Sequence, residues 1–174
     1  MNLPPAIQVL FDTPSLPALG PERRDEALSL DACHRQIEQA LNSLDATPQA
    51  SQLLSSAALL WHDHLDASHT ISQDIHDADG SLLHGIMHRR EPDYPNAKYW
   101  FNRTGPHAVF EELPERCQPF LPETSLSGLT EGNWDAIEMV DAVSRTSKNT
   151  TDYALLQRVQ AEEITVLLEQ TFHY

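Results

Sequence analysis

The chain is poor in basic residues, and this shortage excludes two classes of partner. Only 11 of its 174 residues are lysine or arginine, against 26 aspartates and glutamates, so the formal net charge is −15. A surface of this charge repels the phosphates of nucleic acids and the headgroups of anionic lipids. We therefore expect neither nucleic acid nor a membrane surface as a partner.

Cysteines and long apolar runs are also scarce. Cys33 and Cys117 stand far apart, without the CxxC spacing of thiolate zinc sites or the density of a disulfide scaffold. No stretch approaches the roughly 20 consecutive apolar residues that a membrane-spanning helix needs. The N-terminal residues 1–20 lack the basic start and the apolar centre of a signal peptide. These shortages favour a cytoplasmic protein in a reducing environment.

Alternating strand patterns are rare, whereas apolar residues recur at helical spacing through most of the chain. The sequence predicts an all-α, single-domain helical bundle of about five or six helices. A proline-rich extended arm is expected over residues 1–30, and the helical domain over 31–174. The predicted helices cover about 31–44, 48–69, 81–91, the later part of 93–105, 133–145 and 151–171, with one or two helical turns over 107–113.

Histidines and carboxylates concentrate in two neighbouring predicted helices, in LLWHDHLDASH (59–69) and HGIMHRRE (84–91). Because a helix advances about 100° per residue, these side chains fall on one stripe of each helix, at the border of its apolar face. A short turn joins the helices, which should pack antiparallel and bring the stripes within reach of each other. The predicted cluster contains His62, Asp66, His69, His84, His88 and Glu91.

Neutral imidazoles and carboxylates are good ligands for zinc, iron or manganese. Histidines at i and i+4 of one helix, such as His84 and His88, can bind one ion together. The chain departs from the HExxH motif of zinc proteases, since Gly85 stands where that motif has glutamate. Asp66 and His69 have the ExxH spacing of di-iron bundles, but only once and with aspartate in place of glutamate. The cluster therefore predicts a divalent transition metal without assigning a known class of metalloprotein.

Two arginines directly follow the second histidine pair. Guanidinium groups bind carboxylates and phosphates through paired hydrogen bonds, so Arg89 and Arg90 are candidates for binding a substrate. Pairing with a carboxylate of the protein is the alternative for both. Gln73, at the end of the first stripe, and Tyr99, as a pocket wall, are further substrate-binding candidates.

The predicted function is a metal-dependent enzyme, a hydrolase, lyase or oxidoreductase, acting on a small polar or anionic substrate. Glu91 or Asp66 would be the catalytic base toward a bound water. Asp63 is expected in solvent, and His64 is expected as a core histidine bonded to a carbonyl. Two alternatives stay open: a metal-free module that binds a sugar or an organic acid in the same pocket, and a structural polar network.

The stretches WHDHLDASHTISQ (61–73) and GSLLHGIMHRREPDYPNAKYWF (80–101) resemble a family of bacterial and fungal proteins. Its members carry HD-LD-SHxISQ followed by HGIMHRREPDxxNAKYWF. The resemblance covers about 61–110 closely and extends weakly into WDAIEMVD (134–141). It implies no particular activity, and His64 stands where the family pattern varies. The residues that fit the pattern are Asp63, Asp66, His69, Gln73, His84, His88, Arg89, Arg90, Glu91, Asp93, Asn96, Tyr99 and Trp100.

Overall fold

Nine α-helices and one short 3-10 turn make up the regular structure of the computed structural model, which describes residues 2–121, 125–130 and 132–172. No strand occurs within these ranges, so the all-α prediction is confirmed, whereas the expected count of five or six helices is wrong. The helices are α1 (Pro5–Phe11), α2 (Leu30–Asn42), α3 (Pro48–Trp61), α4 (Leu65–Ser72), α5 (Ala78–Arg90), α6 (Tyr94–Thr104), α7 (Ala108–Cys117), α8 (Ala136–Arg145) and α9 (Thr151–Thr171), and the 3-10 turn is Ser127–Thr130.

Helix α1 lies inside the segment that was expected to be extended. Pro5 occupies its first position, where proline is well tolerated because the first helical N–H groups have no partner within the helix. Ile7, Leu10 and Phe11 are buried, and α1 packs against α2 and α3. The N-terminal segment therefore contributes side chains to the core.

The predicted helix over 48–69 is divided at residues 62–64 into α3 and α4. Asp63 has φ 64, in the left-handed region that a continuing helix cannot use. Its carboxylate accepts hydrogen bonds from the backbone N–H of Arg24 at 3.0 Å, from Nε of Arg24 at 2.8 Å and from Arg90 Nη2 at 2.6 Å. The expectation that Asp63 lies in solvent is thus wrong, because its carboxylate forms the centre of a buried charge network.

Most of the described helices begin with a capping side chain. Seven of the nine described helices begin with a side chain that accepts a hydrogen bond from a backbone N–H of the first turn. Asp77, for example, accepts from Gly80 N at 2.9 Å, so α5 begins at Ala78, before its expected start at about residue 81. The capping residues are Ser29, Thr47, Asp77, Asp93, His107, Asp135 and Thr150.

Helix α5 is the central helix of the described structure. It packs against α3, α4, α6 and α9, and every residue from Gly80 to Arg90 is buried. Four of these residues are His84, His88, Arg89 and Arg90, so the sequence places two imidazoles and two guanidinium groups inside the protein. Polar groups in such a position must find partners within the protein, because water does not reach them.

The two buried arginines have carboxylate partners from distant parts of the chain. Arg89 donates to both carboxylate oxygens of Glu163 in α9, with Nη1 to Oε1 at 3.0 Å, and its guanidinium lies over the ring of Phe101. Arg90 binds Asp63 and donates to the carbonyl of Leu60 at 2.5 Å. Both side chains tie α5 to its neighbours, and neither has any exposed surface.

Cys33 in α2 and Cys117 at the end of α7 are free thiols without a disulfide bond, and both are fully buried. Burial raises the pKa of each thiol to about 12, so both thiols stay protonated at neutral pH.

Among the described helices, none is both long and apolar enough to cross a membrane.

Candidate metal centre

Three imidazoles meet where α4 packs against α5. They belong to His69 of α4 and to His84 and His88 of α5. One ring nitrogen from each lies within 4.8 Å of the other two. The ring centroids of His69 are 4.7 Å from His84 and 5.2 Å from His88, and the two α5 rings are 4.7 Å apart.

The local sequence explains this arrangement. His84 and His88 are separated by one helical turn, so their rings stack on one face of α5 with an interplanar angle of 18°. His69 comes from the last turn of α4, and its ring meets both others nearly edge-on. A helix pair joined by a short connection thus brings together three imidazoles from two elements.

His84 has the most enclosed ring of the three. Only 2% of the residue is exposed, and its ring lies flat against the indole of Trp100 with centroids 3.9 Å apart. Burial, and next the neighbouring His88 and His69, lower the pKa of His84 to about 3, so the ring is neutral. Its Nδ1 is buried without a hydrogen-bond partner among the described residues. A neutral imidazole with an unpartnered nitrogen is suited to receive a cation.

His88 is oriented by two neighbours. Its Nδ1 lies 3.2 Å from Oε2 of Glu91, and the side-chain amide of Asn96 donates to Nε2 at 3.1 Å. Burial lowers the pKa of His88 from its ordinary value, although the charge of Glu91 acts in the opposite direction. A carboxylate that accepts from one nitrogen of a histidine fixes the ring and directs the other nitrogen outward, as around many metal ligands. Glu91 lies just beyond the end of α5 and is about one-third exposed.

Of the six residues predicted to form the cluster, His62 lies elsewhere. Its Nδ1 accepts from the backbone N–H of Leu28 at 3.2 Å, and its Nε2–H donates to the carbonyl of Leu10 at 2.9 Å. Both ring nitrogens are therefore used by the backbone. The physical reason is the break at Asp63, which shifts the phase of α4 relative to α3 and separates His62 from the stripe that holds His69.

Of the two carboxylates predicted for the cluster, Glu91 contacts His88, whereas Asp66 has no recorded contact with the three histidines. Asp66 is exposed in the first turn of α4. Together with Glu91 it lines an open groove of about 420 Å³, whose other walls include Pro21, Leu30 and His64. Nε2–H of His64 donates to the carbonyl of Leu28 at 2.8 Å, which confirms its expected bond to a carbonyl, but the residue is half-buried and does not lie in the core. Glu91 thus joins the groove to the histidine cluster through its contact with His88.

The residues predicted to bind substrate are dispersed. Arg89 and Arg90 are buried and bound to Glu163 and Asp63, so in this structure their guanidinium groups are not accessible to a ligand. The exposed side chain of Gln73 donates to the carbonyl of Thr70 at 3.4 Å. The Tyr99 side chain is also exposed and meets the edge of Trp100.

Trp100 and Asn96 contact the histidines but were not predicted as site residues, although both fit the family pattern. Both lie on α6, one helical turn apart, and contact His84 and His88 respectively. Their i, i+4 spacing within a segment that follows the histidine pair was the available signal. It was weak, since an aromatic residue and a turn-forming amide are common in such a position without any site nearby.

No family model, no curated protein and no solved structure matches this chain. The family resemblance in residues 61–110 stays an expectation, and the function must be argued from the residues of the centre.

Proposed function

We propose that this protein binds a divalent transition metal ion through His69, His84 and His88. The observation that carries the proposal is the convergence of three imidazoles, with one ring nitrogen of each within 4.8 Å of the other two. In addition, Nδ1 of His84 is buried and has no hydrogen-bond partner among the described residues. Three imidazoles form a donor set that suits zinc, and also iron or manganese.

Small side-chain rotations would complete the coordination. Tetrahedral zinc, with zinc–nitrogen distances of about 2.0–2.1 Å, needs its ligand nitrogens roughly 3.3 Å apart. One ring nitrogen of each histidine now lies within 4.8 Å of the other two, so the three nitrogens must move closer together to bind one zinc ion. Coordination by Nε2 of His88 would displace the side-chain amide of Asn96, while Glu91 would keep its contact with Nδ1.

We further propose that the bound ion serves catalysis on a small polar substrate. Three protein ligands leave one coordination position open, as in catalytic zinc sites, where the ion activates a water or polarises a carbonyl. Glu91 contacts His88 and also lines the groove that contains Asp66, so this groove is the side from which a substrate would approach in our proposal. In this arrangement Glu91 orients His88, and Asp66 is the carboxylate left to act as general base. Because Arg89 and Arg90 are buried, the site favours a polar substrate over an anionic one.

The test compares metal content and zinc affinity in three proteins purified without chelator. They are the wild type, a His69→Asn/His88→Asn variant, and a His34→Asn/His76→Asn variant as the matched control. The control removes the same number of imidazoles from exposed positions outside the centre. Elemental analysis and calorimetric zinc titration should give near-stoichiometric metal in the wild type and control, and loss of most binding in the first variant.

A wild-type protein that carries no metal, even after reconstitution with zinc, iron and manganese, would refute the proposal. A metal-free module for a sugar or an organic acid would then show a rise in melting temperature with its ligand alone. A purely structural network is favoured by the contacts that Glu91 and Asn96 already make with His88. In that case the His69→Asn/His88→Asn variant would lose stability but no ligand.

A further inference from the structure

The connection between α1 and α2, residues 12–29, contains no helix or strand and is held to the helices by side chains. Its first part is bound by α9. Gln157 Nε2 donates to the carbonyl of Pro17 at 2.9 Å, and the hydroxyl of Tyr153 accepts from Leu19 N at 3.0 Å. An amide and a phenol are uncharged near neutral pH, so mild acid leaves these contacts intact.

The second part of the connection, residues 21–29, forms a strap that is bound by the turn between α3 and α4. The backbone N–H of Leu28 donates to Nδ1 of His62 at 3.2 Å, and the carbonyl of Leu28 accepts from Nε2–H of His64 at 2.8 Å. Two imidazoles thus hold both polar backbone groups of one strap residue.

His62 can hold the strap only while its ring is neutral. Its Nε2–H donates to the carbonyl of Leu10 at 2.9 Å, so Nδ1 is the nitrogen that carries no proton and accepts from Leu28. A proton on Nδ1 would turn this acceptor into a donor that faces another donor. Burial lowers the pKa of His62, and the charge of Arg24 in the strap lowers it further. A charged His62 is therefore incompatible with the bound strap.

The other charged groups around His62 do not reverse this conclusion. Asp63 favours the charged ring, but its carboxylate is already bound by Arg24 and Arg90. His64 disfavours the charged ring. Helix α1, which supplies the backbone carbonyl that the ring contacts, carries no charged residue.

From these contacts we infer that the strap is released by acid and thereby opens the groove beside the histidine centre. Pro21, at the start of the strap, and Leu30, directly after its end, line this groove together with Asp66 and Glu91. Release begins below about pH 6.5, because the freed ring of His62 gains a proton that the bound ring does not hold. The release itself needs no metal, whereas its effect on substrate entry rests on the proposed function.

Amide hydrogen exchange, followed by NMR in the full-length protein with chelator present, measures the release between pH 7.5 and pH 5. After correction for the intrinsic pH dependence of exchange, protection of the Leu28 N–H should fall several-fold per pH unit. The limit is about tenfold per unit, since one proton is taken up. The Leu19 N–H, held by Tyr153, should keep its protection, which separates local release from global unfolding.

Two variants test whether His62 is the group responsible. His62→Asn removes the titrating ring but offers an amide oxygen to the N–H of Leu28, so the pH dependence at Leu28 should disappear. His34→Asn is the matched control, because it removes an exposed imidazole from α2 and should behave like the wild type. Parallel loss of protection at Leu28 and Leu19 in the wild type would overturn the inference, even if His62→Asn folds poorly. Full pH dependence in a folded His62→Asn protein would overturn it too.

A thiol in the groove tests the opening itself. Ala67→Cys places the thiol in the groove wall, while both native cysteines stay buried. The ratio of its reaction rates with a bulky and a small methanethiosulfonate cancels the titration of the thiol, and this ratio should rise several-fold from pH 7.5 to pH 5.5. Asn102→Cys, at an exposed position of α6, is the control and should give a constant ratio. A constant ratio at residue 67 would overturn the opening of the groove, whether or not the protein binds metal.

Discussion

The imidazole of His84 lies parallel to the indole of Trp100, with ring centroids 3.9 Å apart and an angle of 13° between the planes. This contact places an intrinsic fluorophore directly against the proposed metal centre. It also covers one face of the His84 ring.

The first prediction uses this contact. Adding one equivalent of Cu²⁺ or Co²⁺ should quench a large part of the tryptophan fluorescence, because open-shell ions quench indoles within a few ångströms. Trp100→Phe should remove most of that response, since Trp61 and Trp134 lie outside the centre. A stoichiometric titration curve is the measurement, and quenching that persists unchanged in Trp100→Phe would place the ion elsewhere.

The second prediction concerns Asp63, whose carboxylate binds both Arg24 and Arg90. Asp63→Asn should cost about 3–5 kcal/mol of unfolding free energy, because it leaves the fully buried guanidinium of Arg90 without a counter-charge. Asparagine tolerates a positive φ as aspartate does, so the substitution isolates the loss of charge from backbone strain.

Urea denaturation measures this cost, and Lys98→Ala is the comparison. That substitution breaks a half-exposed ion pair with Asp141 and should cost less than about 1 kcal/mol. If the two variants lost similar amounts of stability, Asp63 would not be the structural centre of the turn between α3 and α4.

The third prediction concerns acid stability and His62. Burial lowers the pKa of His62 below its ordinary value of 6.5, and the hydrogen bond to Leu10 offsets this only in part. The unfolded chain therefore takes up a proton near pH 6.5 that the folded protein does not bind. The stabilising contribution is complete above pH 6.5 and is lost as the pH falls toward the lower, folded-state pKa.

The unfolding free energy of the wild type should consequently decrease between pH 6.5 and pH 5. His62→Gln should show a shallower decrease, by up to about 1.4 kcal/mol per pH unit, because one such group is gone. Urea unfolding curves at several pH values give both slopes. Only the slopes are compared, so a general loss of stability in the variant does not affect the result. Parallel slopes for the two proteins would contradict this role of His62.

The fourth prediction concerns Gly85, the residue that replaces the glutamate of an HExxH motif. A Cβ atom at this position would meet the ring of Phe101 at 3.1 Å, because α6 packs tightly against α5 there. Gly85→Glu would restore the motif but place a carboxylate in that contact. It should destabilise the protein by about 4 kcal/mol or more, through overpacking and an unpaired buried charge.

Thermal unfolding of Gly85→Glu and Gly85→Ala checks this. Alanine should cost under about 2 kcal/mol, since a small shift of the Phe101 ring accommodates it and the gain in helix propensity offsets part of the cost. A stable Gly85→Glu protein with new hydrolytic activity would contradict the steric argument and revive the zinc-protease interpretation.

The elements with clear local signals were predictable from the sequence. Helix α9 covers Thr151–Thr171 as expected, and α6 ends at Thr104, directly before Gly105, which has φ 64. The pair His84 and His88 followed from its i, i+4 spacing, which holds on any helix. These features depend on residues close together in the chain.

The features that the sequence could not reveal depend on distant residues. Asp63 adopts its left-handed conformation while bound to Arg24 and Arg90, which are 39 and 27 positions away. The guanidinium of Arg89 donates to the carboxylate of Glu163, 74 positions away, and is therefore not accessible to a substrate. A helical projection carries no information about such partners, so it placed His62 in the cluster and could not decide between a substrate and a protein carboxylate as the partner of each arginine.

The burial of Cys33 and Cys117 determines when their thiols can react. Thiols with a pKa of about 12 and no exposed surface react with alkylating reagents only when the fold opens. The rate at which these two thiols are alkylated therefore measures how often the protein unfolds globally. A single new cysteine at an exposed position beside the centre, such as Tyr99→Cys, would accept a spin label or a dye selectively while both native cysteines stay in place.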